Sequence, residues 1–223
     1  MKLLVSDYDG TLKSDDKNLR INIEAIKRFR QQGNVFAIST GRPYNSIIKE
    51  CIKYNIPADY LMCNDGAVIA KRSEIIHVEY LTPEAIKKVV AYSCARLTPY
   101  NEITATSFYD QIVELEATYH SRQDAKNDLS ILKEEIPEIN YIRFGRNAYI
   151  KSNNTSKAKG IKKLIELEHL ENIEVYTIGD NINDLSMLQA YNGYKMLISA
   201  PQMLFHRFPI TREVHTLIRK ISD

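Results

Sequence analysis

Two carboxylates near the start of the chain, Asp7 and Asp9, are one residue apart and follow a short apolar run. Gly10 and Thr11 come next, so the pair lies in a turn where glycine permits a tight backbone and threonine can bond local amides. Two acids at the end of a buried strand repel each other and are costly to desolvate. The pair therefore indicates either a solvated turn or a site where a cation or a reaction uses both acids.

A calcium-binding loop is a further alternative, because Asp-x-Asp-Gly can open such a loop. That loop needs more oxygen ligands within the next few residues, and Leu12 and Lys13 do not supply them.

Polar side chains recur where other predicted strands end or where a predicted helix begins: Ser39 and Thr40, Lys157, and Asp180, Asn183 and Asp184. If the strands are parallel, their carboxyl ends share one edge of the sheet. Open parallel sheets bind their ligands at that edge. We therefore expect the strand-end clusters to lie together.

Charge balance favours a bound metal ion. Four carboxylates (Asp7, Asp9, Asp180 and Asp184) against Lys157 leave a formal charge of −3. Like charges ~4 Å apart cost roughly 4 kcal/mol per pair at an effective dielectric constant near 20, so one lysine does not offset several pairs. A divalent cation brings the cluster to −1. Oxygen ligands without His or Cys favour Mg²⁺ over Zn²⁺, and the whole set suits a phosphoryl group.

An Asp-x-Asp pair beside such a metal has a use in phosphoryl transfer. One carboxylate can attack phosphorus and form an aspartyl phosphate. The other can protonate the leaving oxygen and later deprotonate water. Ser39 and Lys157 would hold the phosphoryl oxygens as charge shifts in the transition state.

The elements that must position these residues alternate between strand and helix in the first 80 residues. Apolar runs predict buried strands at 3–5, 35–38 and 60–63. Asn22 is predicted to cap the first helix, which ends at Gly33, and Pro43 to lie in the first turn of the second. A hairpin is predicted over 68–78. This alternation predicts a parallel sheet with right-handed crossovers.

Between 82 and 150 the pattern becomes helix–strand–strand, twice over. Thr82 and Ser121 begin the two helices. The predicted strands are 103–108, 112–115, 139–144 and 148–150. These elements predict a small α+β domain with an antiparallel sheet.

The α/β pattern resumes with a helix capped by Ser156 and a strand at 175–178. An edge strand is predicted at 195–198, and a last amphipathic helix capped by Thr211. We therefore predict an α/β fold, with a Rossmann-like parallel sheet core, helices on both faces and a small inserted α+β domain. The core is predicted over 1–81 and 151–223, and the insert over 82–150.

Four segments resemble the motifs of the haloacid dehalogenase (HAD) superfamily: Asp7-Tyr8-Asp9-Gly10-Thr11, Ser39-Thr40-Gly41-Arg42, Ser156-Lys157, and Gly179-Asp180-x-x-Asn183-Asp184. Their order and spacing are similar to those of its Cof-type phosphatases, whose cap domain lies between the second and third motifs. Asn64-Asp65-Gly66-Ala67 also resembles a family loop. The resemblance covers about the first 80 residues and 150–200. The insert is short for this type of cap, and the tail 201–210 departs from the family pattern.

The resemblance implies a phosphatase with Asp7 as nucleophile and Asp9 as general acid/base. It implies Mg²⁺ held by Asp7, the Asp9 carbonyl and Asp180, with Asp184 in support. The Asp9 side chain is then expected to be free to carry a proton.

Phosphate and substrate contacts are implied for Ser39, Lys157 and Asn183, and Thr40 and Gly10 join them as candidates. Arg42 has two open interpretations, since it can bind substrate or pair with an acid.

Composition limits the expected partners. The net charge is +2 with no basic block, so a nucleic-acid partner is not expected. No apolar stretch approaches the length of a membrane helix. Three cysteines in apolar surroundings without metal-site spacing favour reduced thiols and a cytoplasmic location. The expected partner is a small phosphorylated metabolite such as a sugar phosphate, and the expected state a monomer or weak homodimer.

Three other functions remain open. A phosphomutase would retain the phosphate and isomerise its substrate. A signalling switch resembling a receiver domain would keep a long-lived phosphate on Asp7, but it needs neither an acid at Asp9 nor an insert. A catalytically idle binding protein would not need the complete motif set.

Overall fold

The protein is represented by a computed structural model that describes residues 1–100, 111–170, 172–197 and 207–222. The strand predicted at 103–108 and residues 201–206 of the atypical tail lie outside the described residues.

The described residues form twelve strands and seven helices. The strands are β1 (Lys2–Ser6), β2 (Val35–Ser39), β3 (Tyr60–Cys63), β4 (Val68–Lys71), β5 (Glu74–Val78), β6 (Arg96–Tyr100), β7 (Glu114–Thr118), β8 (Ile139–Phe144), β9 (Asn147–Ser152), β10 (Glu174–Gly179), β11 (Asn192–Met196) and β12 (Ile210–Thr211). The helices are α1 (Asp16–Gln31), α2 (Tyr44–Tyr54), α3 (Pro83–Tyr92), α4 (Arg122–Glu135), α5 (Lys157–Leu167), α6 (Leu185–Ala190) and α7 (Val214–Ser222).

The chain divides into two compact units. Met1–Ile76 and Ser156–Asp223 form one unit, called the core unit below, and His77–Thr155 forms the other, the inserted unit. The sequence predicts an insert over 82–150. In the structure the inserted unit begins at His77 and ends at Thr155. Among the described residues, no helix is both long and apolar enough to cross a membrane.

An eight-stranded sheet organises the core unit in the order β12-β11-β10-β1-β2-β3-β4-β5. The strands from β12 to β3 pair in parallel, and β4 pairs antiparallel with β3. β1 lies between β10 and β2, so its carboxyl end is flanked on both sides by other strand ends.

Burial on both faces explains why β1 is a continuous apolar run. Leu3 and Val5 pack in one cluster with Ile161 and Leu164 of α5. Leu4 points to the opposite face, because side chains alternate along a strand, and it is also fully buried. The predicted α/β core is thereby confirmed.

The inserted unit contains the predicted antiparallel sheet, in the order β6-β7-β9-β8. Leu115 and Ala117 of β7 share one buried cluster with Ala125 and Leu129 of α4. The fold class of the insert is confirmed, but β7 runs three residues beyond the predicted strand at 112–115. β6 was not predicted, because Pro99, its fourth residue, lowers the strand signal.

The prediction that Asn22 caps α1 is wrong. The N-cap is Asp15, whose carboxylate accepts the Asn18 N–H at 2.8 Å. Asn22 is fully buried inside the helix, donates to Leu12 O at 3.0 Å and accepts from the His215 N–H at 2.9 Å. Asn22 thus has the residue type of a helix cap, but its side chain makes a tertiary contact with a distant part of the chain.

The prediction for the last strands also needs correction. β11 begins at Asn192 and is not an edge strand, since β12 pairs with its outer side. Thr211 belongs to β12 and α7 begins only at Val214. A two-residue strand is too short to leave a periodic pattern in the sequence.

Two apolar residues on helices and one of the three cysteines are exposed. Ile52 is 70% exposed and Val90 57% exposed, although their neighbours Cys51 and Val89 are buried. Successive residues of a helix point about 100° apart, so adjacent residues occupy different faces. Cys94 is also exposed.

Candidate active site

The carboxyl ends of three adjacent parallel strands bring the first site residues together. Ser6 is in register with Ile178 of β10 and Ile38 of β2. The next residue, Asp7, donates its backbone N–H to Ile178 O at 2.9 Å. Asp7 therefore lies at the same edge as Ser39 and Asp180, as the parallel sheet predicts.

Lys157 joins this edge from the first turn of α5. The helix is capped by Ser156, whose hydroxyl accepts the Lys159 N–H at 3.2 Å. The Lys157 ammonium is fully buried and lies 2.5 Å from both Asp7 Oδ1 and Asp184 Oδ1. Lys159 is exposed. Of the two candidate lysines, the structure brings Lys157 to the carboxylates.

Burial and charge act in opposite directions on these groups. Burial raises the pKa of the Asp7 carboxyl well above its ordinary value, and the Lys157 ammonium opposes that shift only in part. Burial alone would lower the pKa of Lys157, but the carboxylates of Asp184 and Asp7 raise it above the ordinary lysine value. Lys157 is therefore a permanent cation that does not fully compensate its acidic neighbours.

Asp180 is held by the turn that follows β1. Its Oδ1 accepts a hydrogen bond from the Thr11 hydroxyl at 2.6 Å. Gly10 has φ of +81°, and a Cβ there would lie 2.6 Å from Asp180 Oδ2. Only glycine combines this backbone conformation with this close approach. Gly10 and Thr11 thus fix the position of the second carboxylate.

Asp184 supports the other groups through both of its oxygens. Oδ2 accepts the backbone N–H groups of Asp180 at 2.9 Å and Asn181 at 2.8 Å. Oδ1 accepts the Lys157 ammonium. Asp184 therefore orders the loop after β10 and holds Lys157 at the same time.

The acidic cluster fits a hard divalent cation. Asp7, Asp180 and Asp184 each offer a carboxylate oxygen, and these oxygens lie within 4.8 Å of one another. Three buried carboxylates and one ammonium leave a formal charge of −2. An all-oxygen donor set favours Mg²⁺ or Ca²⁺ over Zn²⁺. Asp9 does not belong to this buried cluster, so the predicted charge of −3 falls to −2.

The end of β2 contributes a hydroxyl that has no hydrogen-bond partner among the described residues. Ser39 Oγ is fully buried and makes no hydrogen bond within the described part of the chain. The next residue, Thr40, is tied to the backbone, because its N–H donates to Met62 O and its Oγ1 accepts the Arg42 N–H at 3.1 Å. A buried unsatisfied hydroxyl is costly, so a ligand oxygen at Ser39 would recover that cost.

Asp65 is a site residue that the sequence reasoning missed. It is buried, and its Oδ1 accepts from Asn183 Nδ2 at 3.1 Å. Its charge also contributes to the raised pKa of Lys157. Asn64 and Asp65 both adopt the left-handed conformation, with φ of 47° and 53°. The signal was present, since Asp65 follows the end of β3 as the other clusters follow their strands.

Asp9 and Arg42 form an ion pair at the rim of the site. Arg42 Nε and Nη2 donate to the two carboxylate oxygens of Asp9, each at 2.6 Å. The expectation that the Asp9 side chain is free is therefore wrong for this conformation. Arg42 was expected either to bind substrate or to pair with an acid, and in the structure it pairs with the acid Asp9. The pairing joins residues on two different loops, which no local pattern encodes.

Comparison with known proteins agrees with this site. A model of the haloacid dehalogenase-like hydrolase family matches residues 4–142 and 98–203. The phosphoglycolate phosphatase of Methanococcoides burtonii is 30% identical over 85% of this chain and 80% of its own length. That of Methanosarcina acetivorans is 26% identical over the same shares of both chains.

Solved structures show the same fold at lower identity. The structure of the HAD subclass IIB sugar phosphatase BT4131 aligns with a TM-score of 0.77 and 19% identity. The alignment covers 100% of this chain and 98% of that one. Together with the family match over most of the sequence, these findings show that the chain belongs to the haloacid dehalogenase-like hydrolases, in the Cof-type group of phosphatases with an inserted cap domain.

Proposed function

We propose that the protein is a Mg²⁺-dependent phosphatase that hydrolyses small phosphate monoesters through an aspartyl phosphate on Asp7. The observation that carries the proposal is the arrangement around Asp7. Its buried carboxylate is hydrogen-bonded to Lys157 and lies close to Asp180 at the edge of the sheet. A second acid, Asp9, follows two residues later in the sequence.

In the first step, an Asp7 oxygen attacks phosphorus while the bond from phosphorus to the leaving oxygen breaks. Asp9 gives its proton to that oxygen, which leaves as an alcohol. In the second step, water attacks the phosphorus of the aspartyl phosphate and Asp9 takes the proton. The bond between phosphorus and Asp7 breaks, inorganic phosphate is released, and the Asp7 carboxylate is restored.

Several groups are positioned to hold the phosphoryl oxygens. The Ser39 hydroxyl is unsatisfied within the described residues, and Lys157 is a buried cation that already contacts Asp7. Asn183 is oriented by Asp65, and its amide supplies a further donor. Such pre-oriented donors stabilise charge as it shifts in the transition state.

The metal would be held by Asp7, Asp180 and the backbone carbonyl of Asp9, with Asp184 ordering the loop around it. When bound, Mg²⁺ offsets the charge of the phosphoryl group and of the carboxylates. We infer that the inserted unit, His77–Thr155, contributes to the choice of substrate.

The relatives support two substrate classes for a first assay. The archaeal relatives are phosphoglycolate phosphatases, and a protein of the same fold is a sugar phosphatase. We infer that the substrate is a small metabolite carrying one phosphate ester, and that 2-phosphoglycolate and sugar phosphates should be compared directly. Among the described residues Cys51, Cys63 and Cys94 form no disulfide, which supports a cytoplasmic enzyme.

The test is phosphate release from p-nitrophenyl phosphate, with Mg²⁺ or with EDTA. Asp7→Asn removes the nucleophile, so turnover should fall by about 10³-fold or more. Asp16→Asn is the matched control, because Asp16 is an exposed acid in the first turn of α1. The proposal fails if the wild-type protein has no Mg²⁺-dependent turnover, or if Asp7→Asn retains full activity.

A further inference from the structure

The Asp9–Arg42 pair has the geometry of a carboxylate-recognition site. Two guanidinium nitrogens meet the two oxygens of one carboxylate, each at 2.6 Å. A guanidinium fork of this kind recognises carboxylates specifically, because its two parallel donors match the two acceptor oxygens.

Arg42 is the better supported member of the pair. Its guanidinium lies 5.1 Å from the centre of the Tyr8 ring, within the range of a cation–π contact. Tyr8 is fully buried, and its hydroxyl donates to Glu50 Oε2 at 2.7 Å. Glu50 also accepts from Lys13 at 2.7 Å. The Tyr8 ring under Arg42 is therefore held by its burial and by the hydrogen bond of its hydroxyl group to Glu50.

Asp9 is the more exposed member of the pair and has fewer contacts. Its side chain is 55% exposed, against 34% for Arg42. Within the described residues its carboxylate has Arg42 as its one hydrogen-bond partner. We therefore expect Asp9 to be the member that moves when the pair opens, and Arg42 to stay on the Tyr8 ring.

This pairing competes with the role proposed for Asp9. Both of its oxygens are occupied by Arg42, whereas proton transfer to a leaving oxygen needs one of them within hydrogen-bond reach of that oxygen. Asp9 must therefore leave Arg42 during the reaction. An entering carboxylate can replace it on the fork, so that Arg42 keeps two charge-assisted hydrogen bonds throughout.

We propose that Arg42 is an exchange site for a carboxylate of the substrate, and that the enzyme therefore prefers phosphate monoesters whose leaving group carries a carboxylate. The inference rests on the proposed function and adds the chemistry of the leaving group. Binding of the substrate carboxylate releases Asp9 for proton transfer. A neutral leaving group offers Arg42 no such replacement, so Asp9 stays paired for a larger part of the time.

The test compares two substrates of similar size, 2-phosphoglycolate and 2-hydroxyethyl phosphate. 2-Phosphoglycolate carries a carboxylate at the position where 2-hydroxyethyl phosphate carries a neutral hydroxymethyl group. For the wild-type enzyme we expect kcat/KM to be at least about tenfold higher for 2-phosphoglycolate, since its carboxylate replaces Asp9 on Arg42, whereas the neutral substrate leaves Arg42 without a charged partner when Asp9 moves away. Part of the preference should appear in kcat, because the exchange also frees Asp9.

Two variants of Arg42 and one matched control test the assignment. Arg42→Met should bring the ratio of the two kcat/KM values close to one, and Arg42→Lys should lower it to an intermediate value, because charge remains without the fork. The control is Arg30→Lys, which alters a similar bidentate pair between Arg30 and Asp59. Asp59 precedes β3, whereas the site lies at the carboxyl ends of the strands, so this variant should leave the ratio unchanged.

The ratio between two substrates does not respond to a general loss of folded or active enzyme, so a purely structural role for Arg42 would leave it constant. A wild-type ratio near one, or an unchanged ratio in Arg42→Met, overturns the inference. Failure of the proposed function is a different result, namely no Mg²⁺-dependent turnover of p-nitrophenyl phosphate by the wild-type protein.

Discussion

Single residues in the turn after β1 show how closely the site is constrained. Gly10 has a positive φ and leaves no space for a Cβ beside Asp180, and Thr11 binds the same carboxylate. The turn thus does more than connect β1 to α1. It holds the carboxylate that follows β10, which lies 169 residues away from Thr11 in the chain.

Gly10→Ala should lower both stability and activity. The positive φ costs about 1–2 kcal/mol for a residue with a Cβ, and the added methyl group must displace Asp180. We expect at least about a tenfold loss of kcat/KM as the carboxylate moves from its position. Activity on p-nitrophenyl phosphate and thermal unfolding measure the two effects.

The control for that variant is Gly33→Ala. Gly33 also has φ of +81°, but an added Cβ would meet nothing within 4 Å. It should show only the stability cost of the positive φ and keep wild-type activity. Equal activity in the two variants would contradict the assignment of Gly10 to the site.

At the level of elements, the position of α5 determines where Lys157 lies. The helix crosses the loop after β3 at very close range, because a Cβ on Gly160 would lie 2.7 Å from the Cα of Gly66. A Cβ on Gly66 would in turn lie 2.6 Å from Ser156 O. These two glycines bring the start of α5, and with it Lys157, against the loop that contains Asp65.

We expect Gly160→Ala to destabilise the protein, although a Gly→Ala change inside a helix usually stabilises it. In an unobstructed helix this change stabilises by about 1 kcal/mol. Here the methyl group would clash with backbone atoms of Gly66, so the helix must shift. We expect a lower melting temperature and reduced turnover, since Lys157 moves relative to Asp7.

Lys162→Ala on the exposed face of α5 is the control, and it should leave turnover unchanged. A Gly160→Ala protein that is more stable and fully active would show that the close contact between α5 and the loop is not needed.

At the scale of the whole molecule, the site depends on both parts of the core unit. Lys157 and Asp7 are 150 residues apart in sequence, and the inserted unit lies between them in the chain. Their pairing and that of Thr11 with Asp180 connect the two parts across the edge of the sheet. Unfolding of the core therefore separates the buried charges that a metal ion would hold together.

Mg²⁺ should consequently stabilise the folded protein. A ligand at 100 times its Kd adds about 2.7 kcal/mol, or roughly 5–10 °C in melting temperature for a chain of this size. Thermal unfolding after EDTA treatment, with and without added Mg²⁺, measures the shift. Asp180→Asn should reduce it, because one carboxylate of the cluster is lost.

Ionic strength is the control for this experiment. NaCl at matched ionic strength should give a much smaller shift, since it screens the carboxylates without bridging them. An equal shift with NaCl, or none with Mg²⁺, would contradict a metal site at the acidic cluster.

Local sequence was sufficient for the order of the elements, the α/β core and the antiparallel insert, because periodicity and turn residues encode them over short distances. It also predicted that Asp7, Asp180 and Ser39 lie at one edge of the sheet, since the carboxyl ends of parallel strands lie at the same edge. The burial of Lys157 against Asp7, the pairing of Arg42 with Asp9 and the contacts of Asn22 and Asp65 were decided by the tertiary structure. They join side chains from distant parts of the chain, and local periodicity carries no information about such pairs.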